Sequence, residues 1–130
     1  MTEYVLVNYK KGGCFMDCIF CKIANKEIPS TIIYEDDFVI AFEDVKPVAP
    51  VHTLVVPKKH IANIMELKEE DMEYITRIHK AIQEVARIKG VQETGFRVIT
   101  NYGADGCQTV QHLHYHVIGG KNLGPKIVHD

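Results

Sequence analysis

Apolar and polar positions along the chain fall into short blocks with two different periods. His52 to Val56 is an apolar, β-rich run closed by Pro57, which predicts a strand. Two shorter runs, Thr31 to Glu35 and Phe38 to Glu43, predict strands joined by a hairpin turn at Glu35-Asp36-Asp37. Lys46 to Pro50 carries two prolines and reads as a loop. From Met72 the period changes. Met72, Ile75, Ile78, Ile82, Val85 and Ile88 recur at steps of three and four, which gives a long helix one apolar face. Glu69, Glu70 and Asp71 suit its N-terminal dipole end, Arg87 and Lys89 the other end, and Gly90 is placed to cap it.

Phe96 to Thr100 and Val110 to Ile118 predict the last two strands, joined by the loop Asn101 to Thr109. Cys18 to Ala24 reads as a turn with one or two helical turns. Thr2 to Tyr9 alternates loosely, as a strand would, until Lys10-Lys11-Gly12-Gly13 breaks it. Residues 1–13 therefore read as an N-terminal extension ahead of a single domain, 14–130. Five short strands, a short N-terminal helix and a long helix between the third and fourth strands predict an α+β fold. Its antiparallel sheet is expected to be covered on one face.

The chemistry is densest at Gln111-His112-Leu113-His114-Tyr115-His116-Val117-Ile118. On a strand, His112, His114 and His116 share one face, roughly 7 Å apart, while Leu113, Tyr115 and Val117 share the other. Imidazoles in such a row need partners for two ring nitrogens each, so burial alone does not explain them. Two chemistries use this pattern. A His-x-His strand can hold a catalytic zinc with an open water position. Alternatively one imidazole is a nucleophile and its neighbours manage protons and charge.

Composition narrows the field. A net charge of −2 argues against binding nucleic acid or a membrane surface through bulk charge. No stretch approaches the roughly 20 apolar residues of a membrane span, and Met1 to Tyr9 is too polar for a signal peptide. The expected compartment is the cytoplasm, where the 4 cysteines are thiols or metal ligands rather than disulfides.

His112-Leu113-His114-Tyr115-His116-Val117-Ile118 resembles the signature of the histidine triad (HIT) family. Asp17-Cys18-Ile19-Phe20-Cys21-Lys22-Ile23, Lys26-Glu27-Ile28-Pro29, Tyr34-Glu35-Asp36 and Ala41-Phe42 resemble its earlier blocks. So does Pro50-Val51-His52-Thr53-Leu54-Val55-Val56-Pro57-Lys58-Lys59-His60-Ile61, and the spacing agrees from Asp17 to Gly120. Gly119-Gly120 and the Asn101 to Thr109 loop look most like the Hint branch, the nucleoside phosphoramidate hydrolases.

The resemblance implies a HIT-like fold and roles for particular residues. His114 matches the nucleophile that attacks an α-phosphorus and forms a nucleotidyl-histidine. His116 matches the phosphate-bonding histidine that assists the leaving group, His52 the fourth active-site histidine, and Thr109 a hydroxyl near the leaving group. Gln108 and the backbone around Cys107 match the phosphate-facing loop. Asp44 and Val45 match ribose and base contacts, and Asn101 a further polar contact. The implied ligands are purine nucleoside monophosphate derivatives, and the implied assembly is a homodimer with a continuous ten-stranded sheet.

Cys18-x-x-Cys21 alone is half a zinc site. Family members that carry this pair complete a structural zinc site with the histidines matching His60 and His112. Three features depart from the branch pattern: Cys107 stands where glycine is usual, Gln111 where an aromatic is usual, and the chain has no Trp. Rival readings are a zinc-dependent hydrolase, a Cys107 nucleophile with His112 as base, and a nucleotide-binding or interaction module whose turnover is incidental.

Overall fold

The computed structural model describes residues 18–125 and 127. The 1–13 extension, its candidate strand Thr2 to Tyr9, and Cys14 lie outside the described residues. Helix α1 is Ile19–Ala24, followed by strands β1 (Ile32–Glu35), β2 (Val39–Glu43) and β3 (Val51–Pro57). Two 3₁₀ turns, Ile64–Glu66 and Glu69–Asp71, lead into helix α2 (Met72–Ile88), and strands β4 (Phe96–Ile99) and β5 (Tyr115–Gly119) complete the fold. The antiparallel sheet runs β1-β2-β3-β5-β4, so β5 lies between β3 and β4.

Local chemistry accounts for these elements. At the β1–β2 hairpin Asp36 Oδ1 accepts the N–H groups of Phe38 and Val39, at 2.8 and 2.9 Å, which makes the predicted turn. Helix α2 buries Ile78, Ala81, Ile82, Val85 and Ala86, the inner members of its apolar stripe, while Met72 and Ile88 at its ends stay exposed. Its C-cap is Lys89, and Gly90 follows at φ +74, where the Val91 N–H reaches back to the Ala86 carbonyl at 2.9 Å. Glu69, Glu70 and Asp71 form a separate 3₁₀ turn instead of the first turn of the helix. Asp71 accepts from Lys59 Nζ at 2.6 Å and from the Lys68 N–H at 3.1 Å.

The sheet is covered on both faces where it matters, which corrects the one-sided expectation. Val39 and Ala41 of β2, Val55 of β3 and Leu113, Tyr115 and Val117 pack with Ile78, Ile82 and Val85 of α2. Ile40, Phe42, Leu54 and Val56 point the other way, against Phe20 and Ile23 of α1. This two-sided burial explains why β2 and β3 read as apolar runs and not as alternating strands.

The last strand is also shorter than the predicted Val110 to Ile118. It begins at Tyr115, opposite Val55, although β3 continues to Pro57. Pro57 has no N–H to extend the ladder. The preceding groups bond elsewhere: the Leu113 N–H donates to the Ile61 carbonyl at 2.6 Å, and the Thr100 hydroxyl to the His114 carbonyl at 2.8 Å.

Candidate active site and metal centre

Leu113, Tyr115 and Val117 face α2, so the alternating histidines fall on the α1 side of the sheet. Phe20 of α1 meets the rings of His112 and His114 edge-on, with centroids 5.9 and 5.1 Å away. The His114 and His116 rings are 5.1 Å apart. The three imidazoles nevertheless serve two different clusters.

His112 belongs to the first. Its Nε2–H donates to the Pro57 carbonyl at 2.8 Å, which leaves the Nδ1 lone pair facing sulfur. Cys18 Sγ lies 3.1 Å and Cys21 Sγ 3.5 Å from that nitrogen, and Cys21 Sγ lies 3.3 Å from His60 Nδ1. All four donor atoms fall within 4.8 Å of one another. Ligand atoms of a tetrahedral Cys/His zinc site sit roughly 3.5 Å apart, given bonds of about 2.3 Å to sulfur and 2.0–2.1 Å to nitrogen. The donor set and its spacing therefore fit zinc. Cys21, and then His112 and His60, hold the Cys18 thiol far below its ordinary range, against the opposing effect of burial. Thiolate is the form a metal needs.

The second cluster contains His114, His116, His52 and Asp44. The His114 Nδ1–H donates to the His112 carbonyl at 2.7 Å, so the Nε2 of His114 carries the lone pair. Burial lowers the pKa of His114 from its ordinary value. His116 is pushed down to about 4, by burial first and then by His114 and His52, with Asp44 opposing. Both imidazoles are thus neutral at pH 7. His52 Nε2 stands 2.9 Å from His116 Nδ1 and 3.4 Å from Asp44 Oδ2, and its Nδ1 accepts the Val48 N–H at 3.1 Å. The other Asp44 oxygen accepts the Lys46 N–H at 2.8 Å.

The remaining predicted residues are spread around this core. Asp44 and the exposed Val45 line a shallow pocket of about 460 Å³ with Pro29, Ser30, Thr31 and Glu43. A larger concavity of about 830 Å³, between Lys89 and Gly124, is lined by none of the histidines. The Gln108 amide donates to the Ala62 and Val110 carbonyls at 2.8 and 3.0 Å, so its N–H groups hold the loop. Asn101 Nδ2 likewise donates to the Gly106 carbonyl at 2.7 Å. A Cβ at Gly106 would lie 2.3 Å from the Tyr102 oxygen, which reserves that position for glycine. Cys107 is exposed at φ 60, a conformation that favours glycine, and Thr109 is exposed beside it.

Sequence reasoning passed over four contributors: the Phe20 ring, the Thr100 hydroxyl, the Pro57 carbonyl and the Val48 amide. Phe20 carried a signal, because it lies between Cys18 and Cys21. The two backbone groups carried none, since any residue offers a carbonyl and nearly any an N–H.

A family model described as the HIT domain matches residues 25–123. The chain belongs to the HIT family. It is 39% identical over 113 residues to the purine nucleoside phosphoramidase of Escherichia coli, spanning 87% of this chain and 95% of that one. It is 43% identical over 109 residues to a 14 kDa zinc-binding protein of Brassica juncea, spanning 82% and 96%. Among solved structures, a HIT family hydrolase from Clostridium thermocellum superposes with a TM-score of 0.86 at 51% identity, covering 88% of this chain and all of that one. Cys18 and Cys21 lie ahead of the matched HIT span, while His52, His60 and the triad lie inside it.

Proposed function

We propose that this HIT protein hydrolyses the phosphorus–nitrogen bond of purine nucleoside 5′-phosphoramidates through a covalent nucleotidyl-histidine. One observation carries the reading: the His114 Nδ1–H is tied to the His112 carbonyl, so a neutral Nε2 lone pair is presented from the buried residue that leads into β5. In the first step Nε2 bonds to the α-phosphorus, and the bond from phosphorus to the leaving nitrogen breaks. The departing amine takes up a proton from solvent, with the His116 N–H and the Thr109 hydroxyl hydrogen-bonding on the leaving side. In the second step water bonds to phosphorus, the phosphorus–His114 bond breaks, and the proton lost by the water goes to solvent, which leaves His114 neutral again. His52 supports His116. Asp44 and Val45 receive ribose and base, and Asn101, with the Cys107–Gln108 backbone, lines the phosphate loop, where N–H groups stabilise developing charge.

Cys18, Cys21, His60 and His112 hold a structural zinc in this reading. Such an ion would fix α1 against the sheet and add folding free energy. The active form is a homodimer, and it works in the cytoplasm, where the thiolates stay reduced. The name of the E. coli relative supports the phosphoramidate reading, and the Cys/His donor set, with the zinc-binding relative of Brassica juncea, supports the zinc.

Acid quench during turnover of an adenosine 5′-phosphoramidate tests the mechanism. The chain mass should rise by one AMP, and peptide mapping should place it on His114. A protein that turns over with no adduct, and whose His114→Ala variant keeps wild-type turnover, would refute the nucleophile.

A further inference from the structure

We infer that the backbone N–H of Val48 fixes the tautomers of two histidines in series, and so makes His116 a donor through Nε2. The last link, what His116 donates to, rests on the function proposed above; the tautomers themselves do not.

The chain of reasoning starts with a group that can only donate. The Val48 N–H points at His52 Nδ1 at 3.1 Å, so that nitrogen must present a lone pair. The neutral ring then carries its proton on Nε2. His52 is buried, with 6% of its surface exposed, so no water competes freely for that arrangement. His52 Nε2 is 2.9 Å from His116 Nδ1 and now has a proton to give, so His116 Nδ1 must be the acceptor. His116 is left with its single proton on Nε2, the nitrogen turned away from His52. Asp44 Oδ2, 3.4 Å from His52 Nε2, favours the same tautomer of His52.

The loop is built to hold this amide. Residues 46–50 contain Pro47 and Pro50, which supply no N–H and fix their own φ angles. The Lys46 N–H is taken by Asp44 Oδ1 at 2.8 Å, and the Asp44 N–H donates to the His52 carbonyl at 3.0 Å. The segment therefore curls back so that residue 48 meets the ring of residue 52. The Val48 side chain is largely exposed, so the position contributes chiefly through its backbone.

The tautomer also bears on a competing use of these groups. Asp44, His52 and His116 bring three donor atoms within 4.8 Å, as a cation site would. A neutral His52 binding metal through Nε2 needs its proton on Nδ1, where it would collide with the Val48 N–H. The amide thus biases the cluster towards hydrogen bonding and away from a cation.

The arrangement gives His116 a polarity that the proposed reaction uses. A neutral Nε2–H can bond to a phosphoryl oxygen or the leaving nitrogen without adding a positive charge beside His114. The reverse tautomer would offer a lone pair to an anionic substrate, which repels it.

Long-range proton–nitrogen NMR on ¹⁵N-histidine-labelled full-length protein reads the tautomers directly, because protonated and lone-pair ring nitrogens resonate far apart. His52 and His116 should each be a single Nε2–H tautomer. A Nδ1–H signal on either ring overturns the inference. Val48→Pro removes the amide, and Val48→Ala keeps it. Val48→Ala should retain the wild-type tautomers. Val48→Pro, with a backbone spectrum unchanged outside residues 44–52, should lose the single tautomer at His116 and lower kcat about tenfold or more, with KM within about twofold. If Val48→Pro keeps both tautomers, the amide does not set them. A wild-type protein that shows the tautomers but cleaves no phosphoramidate defeats the proposed function and leaves this inference standing.

Discussion

In the proposed mechanism His114 and His116 act as neutral imidazoles, and that neutrality has a cost in acid. The ordinary histidine pKa is about 6.5. In the folded chain His116 is held at about 4, by burial and by its histidine neighbours. Between these values the unfolded chain binds a proton that the folded chain refuses. The contribution to stability is constant above pH 6.5 and is lost progressively as pH falls towards 4. The melting temperature should therefore drop from pH 7 to pH 4, and the drop should be shallower in His116→Gln. Scanning calorimetry of the two proteins across that range checks it. Equal slopes would mean that His116 is not an origin of the acid sensitivity. The three histidines were legible in the sequence because period-two alternation with Leu113, Tyr115 and Val117 is hard to satisfy otherwise. Their division into two clusters was not legible from alternation alone. Alternation fixes the face a ring occupies and says nothing of which loop or helix meets it there.

Helix α1 is the shorter of the two helices and, with its N-cap Cys18, supplies two of the four residues of the proposed metal site. Cys18 caps its N-terminus, accepting the Cys21 N–H at 3.3 Å, while Phe20 and Ile23 pack on Ile40, Phe42, Leu54 and Val56. Purified protein should contain about one zinc per chain by elemental analysis, and Cys18→Ser should lose it and melt at a lower temperature. Metal-free wild-type protein of unchanged stability would leave a pair of reduced thiols. Helix α2 needs no such device, because its apolar face is wide. Ile78 is fully buried against the sheet, and Ile78→Ala should cost about 2–5 kcal/mol, measured by urea unfolding. The 3.6-residue period made α2 legible at both ends. Strand β5 was misjudged at its start because its limit is set by Pro57, 58 residues earlier, through a missing N–H. A local pattern cannot carry that information. The opposite cover supplied by α1 was hidden for a related reason, since six residues are too few to show a periodic face.

At the scale of the molecule, one sheet edge draws attention. Among the described residues strand β4 pairs only with β5, and Phe96 and Val98 are 38% and 41% exposed along it. An unpaired edge with apolar side chains invites a second strand. Light scattering at micromolar concentration should give twice 14.8 kDa, and Val98→Lys should shift the protein towards the monomer. A wild-type protein that stays monomeric would refute the dimer.

A different consequence follows from the way His112 is divided between its two neighbours. The ring is offered to Cys18, Cys21 and His60, but the anchor for His114 is the main-chain carbonyl. Every amino acid brings that carbonyl. Replacing the ring would break the proposed metal set while His114 kept its partner. Sequence drift could therefore remove the proposed metal set one donor at a time, with His114 tied to the same carbonyl throughout. The proposed ion would be a removable brace, which ordinary packing under α1 could replace.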